Sequence, residues 1–405
     1  MTKNNYKRLG DFIQSVDVRN TENEDLPLMG LSIERKFIPS VANTIGTDLS
    51  VYKIIAKNQF ACSLMQVSRD GKIPIARYEE DRAIMSPAYP MFEVIDTDLL
   101  LPEYLMMWFS RSEFDRQAAY YAVGGVRGSL DWNDFIDLEL PVPTIAKQYE
   151  IVQEYQAVEK RIALNEQLIA KLEETAQAVY REWFVEFEFP DENGKPYKSN
   201  GGKMVWNEEL EKEVPEGWEV KKIGDKIETL GGGTPSTGTE EYWENGEILW
   251  YSPTDITTGK RLFTSNSQRK ITKRGLQKSS AKLFPAYSLM MTSRATIGVI
   301  AINTVEATTN QGFINLIPTK ELCVYFLFDW IKTQLEEIKN LASGSTFLEI
   351  SKTDFRNLDI IVPKLKVLIE YENTVTPVFN RIQLVSLENQ KLEELKDLLL
   401  IRMMK

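Results

Sequence analysis

Residues 124–174 lie on residues 344–394 without a gap, and 15 of the 51 pairs are identical. Among them are Gly124/Gly344, Asp134-Phe135/Asp354-Phe355, Leu138/Leu358, Val142-Pro143/Val362-Pro363 and Arg161-Ile162/Arg381-Ile382. The tetrapeptide Lys171-Leu172-Glu173-Glu174 recurs as Lys391-Leu392-Glu393-Glu394. A repeat of this length means two copies of one domain-plus-helix unit rather than a solenoid of short modules. A chain of 405 residues has room for two such units, each burying its own core.

The repeat divides the chain into globe, long helix, globe, long helix. We expect globes at 1–143 and 216–363, long helices at 144–186 and 364–405, and a Pro/Gly-rich connector at 187–215. In the first globe, strand-like runs at 85–94 and 138–142 flank a helix over 104–121. The second has strand candidates at 248–251, 288–292, 297–303 and 313–317, then a helix over 323–341. The openings match too: Lys7-Arg8-Leu9-Gly10-Asp11 resembles Lys221-Lys222-Ile223-Gly224-Asp225. The middles of the globes share far less.

The helices carry the clearest periodicity. Ile151, Tyr155, Val158, Ile162, Asn165, Ile169, Leu172, Ala176, Val179 and Trp183 alternate spacings of four and three, a heptad seam with one polar interruption. The shifted set is Tyr371, Val375, Val378, Ile382, Val385, Asn389, Leu392, Lys396, Leu399 and Met403, again with a single Asn. At ~1.5 Å per residue each seam is roughly 50 Å long, more than one globe can cover. The simplest partner for one helix is the other, antiparallel, with a pseudo-twofold relation between the halves. The fold class expected is α+β: two α/β globes separated by an antiparallel coiled-coil pair.

Composition excludes several chemistries. Histidine is absent, which removes His-dependent base catalysis, Ser-His-Asp triads and most zinc sites. Cys62 and Cys323 fall in different halves, which fits a reducing cytoplasm better than a disulfide framework. No apolar run approaches the ~18 residues of a membrane span, and the start lacks the apolar stretch of a signal peptide. No phosphate-loop motif, nucleophile elbow or methyltransferase motif is present. Pro190-Asp191 with Glu219-Val220-Lys221 mimics a metal-dependent nuclease spacing, but the Asp lies in the connector. The stretch Gly231-Gly232-Gly233-Thr234-Pro235 reads as a flexible turn.

The net charge of −11 conceals a segregation. Residues 150–219 hold 17 acidic and 8 basic side chains, whereas residues 256–305 hold nine basic ones and no acid. The nine are Lys260, Arg261, Arg269, Lys270, Lys273, Arg274, Lys278, Lys282 and Arg294. A local positive field of this kind suits phosphate binding whatever the total charge. Asn310 and Gln311 stand beside it, and such amides either pair with adenine edges or satisfy the backbone of their own loop. Glycine- and serine-rich hinges precede the last strand of each globe, one containing Gly124 and Arg127, the other Ser343, Gly344 and Ser345. Their amides can approach phosphate closely, or simply turn the chain. In the first globe Arg69, Lys72 and Arg77 surround a turn at Asp70-Gly71.

These residues resemble one family, the specificity subunits of type I restriction–modification systems. The resemblance rests on the opening Pro215-Glu216-Gly217-Trp218 with Ile223-Gly224-Asp225, on Thr309-Asn310-Gln311 before an apolar strand, and on the Ala342-Ser343-Gly344-Ser345-Thr346 hinge leading to Ile361-Val362-Pro363. The first globe departs, with Ser86-Pro87-Ala88-Tyr89 where the second has its Asn-Gln. After Pro363, Ile369-Glu370 replaces the family's usual Glu-Gln. The resemblance implies a non-catalytic cytoplasmic subunit whose globes each read half of a split, asymmetric target on double-stranded DNA. It implies two modification (methyltransferase) subunits and two ATP-driven restriction subunits as partners, binding AdoMet, ATP and Mg²⁺, and no membrane. A self-sufficient nuclease and a non-DNA coiled-coil scaffold are the competing expectations.

Overall fold

A computed structural model describes residues 6–40, 46–65, 67–122, 129–259, 261–344 and 348–403. The chain forms two compact units, residues 1–163 with 390–405, and residues 164–389. The spacer helices therefore form no domain of their own. The reason is burial: Tyr155 and Val158 belong to the first unit's core, Ala176, Tyr180 and Trp183 to the second's.

The repeat is structural as well as textual. Asp131 and Ser351, 220 residues apart, cap the short helices Trp132–Ile136 and Lys352–Arg356 by accepting backbone N–H bonds. These helices seat Phe135 and Phe355 with no exposed surface. Strands Glu139–Pro141 and Asp359–Val362 follow, each antiparallel to an earlier strand of its unit, Tyr6–Arg8 or Glu219–Lys222. The chain then turns through Pro143 or Pro363 into the long helices Ile145–Phe184 and Leu365–Arg402.

The middles share little sequence yet have one topology. In the first unit the strands Ile13–Ser15, Met91–Val94, Phe60–Cys62 and Ile75–Arg77 pair antiparallel in that order. In the second, Glu228–Gly231, Phe313–Ile317, Leu289–Thr292 and Ile300–Asn303 do the same, with Phe263–Thr264 added at the edge. Each unit also has a second sheet built on a parallel pair. Leu28–Leu31 runs beside Arg82–Met85, and Ile248–Tyr251 beside Ala307–Thr309. An antiparallel neighbour, Phe37–Pro39 or Arg269–Ile271, lies on the outer side of each pair.

All twenty seam positions are buried or half-buried. Within the second unit Asn165 donates to the Asn389 side chain at 2.8 Å, and Tyr180 packs on Tyr371. Each buried amide thus finds a partner in the other helix, which disfavours any register shift that would separate them. Within the first unit Glu159 meets Lys396 at 2.7 Å and Glu154 meets Arg402 at 3.1 Å. In both units partners descend along one helix as they ascend along the other, so the pairing is antiparallel. Pro377 sits inside the second helix, where it removes one ladder N–H on an exposed face.

Some expected elements differ. The helix anticipated over 104–121 is two, Pro102–Phe109 and Ser112–Ala122, because Ser110 closes the first by bonding the Met106 carbonyl. Its N-terminal amide, Leu101, is satisfied by the side chain of fully buried Gln148, which also donates to the Leu99 and Pro143 carbonyls. Residues 187–215 are no loose connector. Phe189 stacks on Tyr197 and Trp218, and Met204–Asn207 pairs with Lys212–Pro215 as a hairpin. Asp191 accepts from the Asn193 and Lys195 amides and from the Asn200 side chain. Those bonds hold its carboxyl below the usual range, led by the Lys195 amide, and make it a turn-former. Glu219 faces Lys221 at 3.6 Å.

Candidate nucleic-acid interface

Equivalent strands end in equivalent loops, and most of the residues singled out in the sequence lie there or close by. The link between Ala307–Thr309 and Phe313–Ile317 is residues 310–312. Its counterpart between Arg82–Met85 and Met91–Val94 is residues 86–90, so Ser86-Pro87-Ala88-Tyr89 does occupy the place of Asn310-Gln311. Likewise the loop carrying Arg294 matches the loop carrying Lys72.

In the second unit Asn310, Gln311 and Arg294 line one recess of about 280 Å³, with Thr254, Thr257 and Thr296. Asn310 folds its carbonyl oxygen back to accept from the Gly312 amide at 2.9 Å. Gln311, exposed, accepts from the Thr234 hydroxyl at 2.7 Å. That bond fixes the amide plane and turns its NH₂ away from Thr234. Arg294 is forked onto Glu349 at 3.0 and 2.9 Å, so much of its charge is answered inside the chain. Beside it Ala295 holds φ +61°, a left-handed conformation that a non-glycine residue keeps only under constraint. Ser343 exchanges backbone bonds with Glu349, and Gly344 at φ +142° makes the turn that no side chain favours. Ser345 lies outside the described residues.

The glycine stretch before this recess is not a flexible turn. A Cβ on Gly232 would collide with the Asn310 carbonyl, and one on Gly233 with Ser280. The Gly233 amide donates to the Thr309 carbonyl at 2.8 Å, and its own carbonyl accepts from the Trp250 indole at 2.9 Å. Glycine is required here because two backbones touch.

The acid-free stretch sorts by partner. Lys270, Lys273 and Lys278 are exposed on the strand Arg269–Ile271, on the helix Lys273–Gln277 and just after it. Arg274 pairs with Glu241 at 3.0 Å. Arg269 lies 3.5 Å above the Trp243 ring and 5.7 Å from that of Trp250. Arg261 is half-buried, and Lys260 lies outside the described residues.

In the first unit Lys72 is exposed after Gly71, which holds φ +65°. Arg77 is a strand residue bonded to Glu79 at 2.6 Å, Glu103 at 3.0 Å and Asn58 at 2.6 Å, with its side chain 11% exposed, so much of its charge is answered inside the chain where it lines the cleft that Lys72 borders. Gly124, Arg127 and the Arg69 side chain lie outside the described residues. The pair Arg35–Asp115 was not anticipated; it ties the hairpin tip to the helix Ser112–Ala122. Lys36 and Lys72 border a cleft of about 720 Å³, together with Glu79, Glu80 and Glu103.

The chain thus uses one α+β unit twice, with unlike loops on like strands. Residues 215–397 match the family model of the type I restriction modification DNA specificity domain. The chain is 38% identical over 168 residues to the type I restriction enzyme MjaIX specificity subunit of Methanocaldococcus jannaschii, a match covering 40% of this chain and 38% of that relative. It is 24% identical over 386 residues to the HindI specificity subunit of Haemophilus influenzae, covering 83% of each. Its fold is similar to that of the type I restriction-modification S subunit from M. genitalium, with TM-score 0.55, 14% identity and coverage of 98% and 95%. The chain is thus similar to type I restriction–modification specificity subunits, with the family model confined to residues 215–397.

Proposed function

We propose that this chain selects the DNA sequence on which enzymes carried by other polypeptides act. Each unit reads one half of a bipartite, asymmetric duplex target. The observation that carries this reading is the shared topology with unlike loops, residues 310–312 against 86–90, and unlike edge strands, Arg269–Ile271 against Phe37–Pro39. Like frames suit two docks on one duplex, and unlike loops suit two different sequences.

The long helices set the spacing between half-sites and dock two identical modification subunits. Leu164 and Leu384, equivalent in the repeat, are 59% and 60% exposed, off the seam, and identical partners need equivalent docks. Two ATP-driven restriction subunits complete the assembly. AdoMet, ATP and Mg²⁺ belong to these partners, and this chain contributes no catalytic group. A nuclease built on Asp191 and Glu219 is disfavoured because Asp191 is occupied by turn amides. Among the described residues no helix is long and apolar enough to cross a membrane; the proposed setting is the cytoplasm, with the DNA.

The assembled complex should bind duplex DNA with an affinity that falls linearly in log–log terms as salt rises. Titration across salt concentrations checks this. Affinity that is absent, or indifferent to salt, would leave the coiled-coil scaffold as the better reading.

A further inference from the structure

The arginines of the acid-free stretch do not have equal freedom. Arg274 and Arg294 face carboxylates. Arg269 has no hydrogen bond or ion pair from its guanidinium to any described residue, and instead lies over the Trp243 ring at 3.5 Å, beside Trp250. The platform is itself fixed. The Trp243 indole donates to the Ser236 carbonyl at 3.0 Å and the Trp250 indole to the Gly233 carbonyl at 2.9 Å. The two rings meet edge to face at 5.1 Å. Gly233 and Ser236 flank Thr234, which holds Gln311. One backbone segment therefore positions both the arginine platform and the amide of the neighbouring recess.

We propose that Arg269 reads a guanine in the half-site assigned to the second unit, its fork bonding O6 and N7 in the major groove. This deepens the DNA-specifying reading above and rests on it. A guanidinium stacked on an aromatic face keeps its edge donors in one plane and loses little freedom on binding, which is what bidentate base reading requires. Phosphate attraction needs no such order, and the exposed Lys270, Lys273 and Lys278 supply it as point charges around the fork. The corresponding first-unit strand, Phe37–Pro39, carries no arginine, so among the described residues that strand offers no such fork.

The test uses the full chain assembled with its methyltransferase partner, comparing the methylated-site consensus of wild type and Arg269→Lys, which keeps the charge and loses the fork. One guanine position in one half should relax by roughly tenfold or more, with the other half unchanged. Replacing that guanine by 7-deazaguanine should weaken wild-type binding and leave Arg269→Lys unaffected. Trp243→Leu keeps the guanidinium but frees it, and should relax the same position. An unchanged consensus in both variants overturns the proposal. So does uniform weakening on all sequences with a shallower salt slope, the signature of a phosphate contact. A wild-type complex with no consensus at all would instead sink the DNA-specifying reading.

Discussion

A chain carrying Leu164→Glu and Leu384→Glu should fold normally and fail to assemble with the proposed modification subunits. Both leucines point away from the seam, at 59% and 60% exposure, and surface substitutions of this kind usually change stability by no more than about 0.5 kcal/mol. Leu168 and Leu387 are also exposed, so each helix offers more than one apolar side chain beyond its seam. Burying a leucine against a partner stabilises the complex by roughly 2 kcal/mol, and a carboxylate in its place must be desolvated. Two such losses should weaken assembly by about a thousandfold if both docks are needed. Because the positions are equivalent, each single variant should lose one partner and keep the other. Sedimentation of the mixed subunits reads the stoichiometry directly. Intact two-partner complexes from the double variant would mean that the docks lie elsewhere.

The second large effect concerns pH. Asp329 is fully buried. It accepts from the Tyr371 hydroxyl at 2.6 Å and from Gln177 at 3.2 Å. Burial pushes its carboxyl up to about 7, with Glu173 adding to the rise, while the two hydrogen bonds and Lys332 oppose it. A carboxyl whose folded value lies above its unfolded one stabilises the fold fully below about pH 4, and that contribution is lost as pH rises through 7. Three units correspond to roughly 4 kcal/mol at most. Asp329→Asn keeps the shape and stays neutral. It should therefore match wild type near pH 4 and exceed it by on the order of 2–4 kcal/mol at pH 8. Denaturant unfolding of the second unit at both pH values measures this. An identical pH slope in the two proteins would show that Asp329 is not the group responsible.

Elements with strong periodicity were readable from the sequence alone. The heptad seams, with Asn165 and Asn389 as their interruptions, became the helix pair in which those two amides meet. The apolar runs Ile248–Tyr251 and Phe313–Ile317 became strands with those bounds. Long-range backbone geometry was not readable. Nothing in Gly231-Gly232-Gly233 announces that Thr309 and Asn310 run against it, so a packed contact looked like a loose turn. Arg77 and Arg294 looked free because Glu103 and Glu349 lie 26 and 55 residues away along the chain. The hairpin within 187–215 was masked by its glycines and prolines, although Phe187, Phe189 and Trp218 were there to anchor it. Common topology beneath dissimilar middles is invisible to residue matching, because strand order is set by pairing partners and not by identities.

The decisive experiment is to read the methylated-adenine consensus of cells expressing this chain with the proposed modification partner, before and after residues 216–363 are exchanged for those of a type I restriction enzyme specificity subunit. A split consensus in which the exchange rewrites one half and spares the other is the expected outcome. A consensus that changes throughout, or not at all, would contradict the assignment of one half-site to each unit.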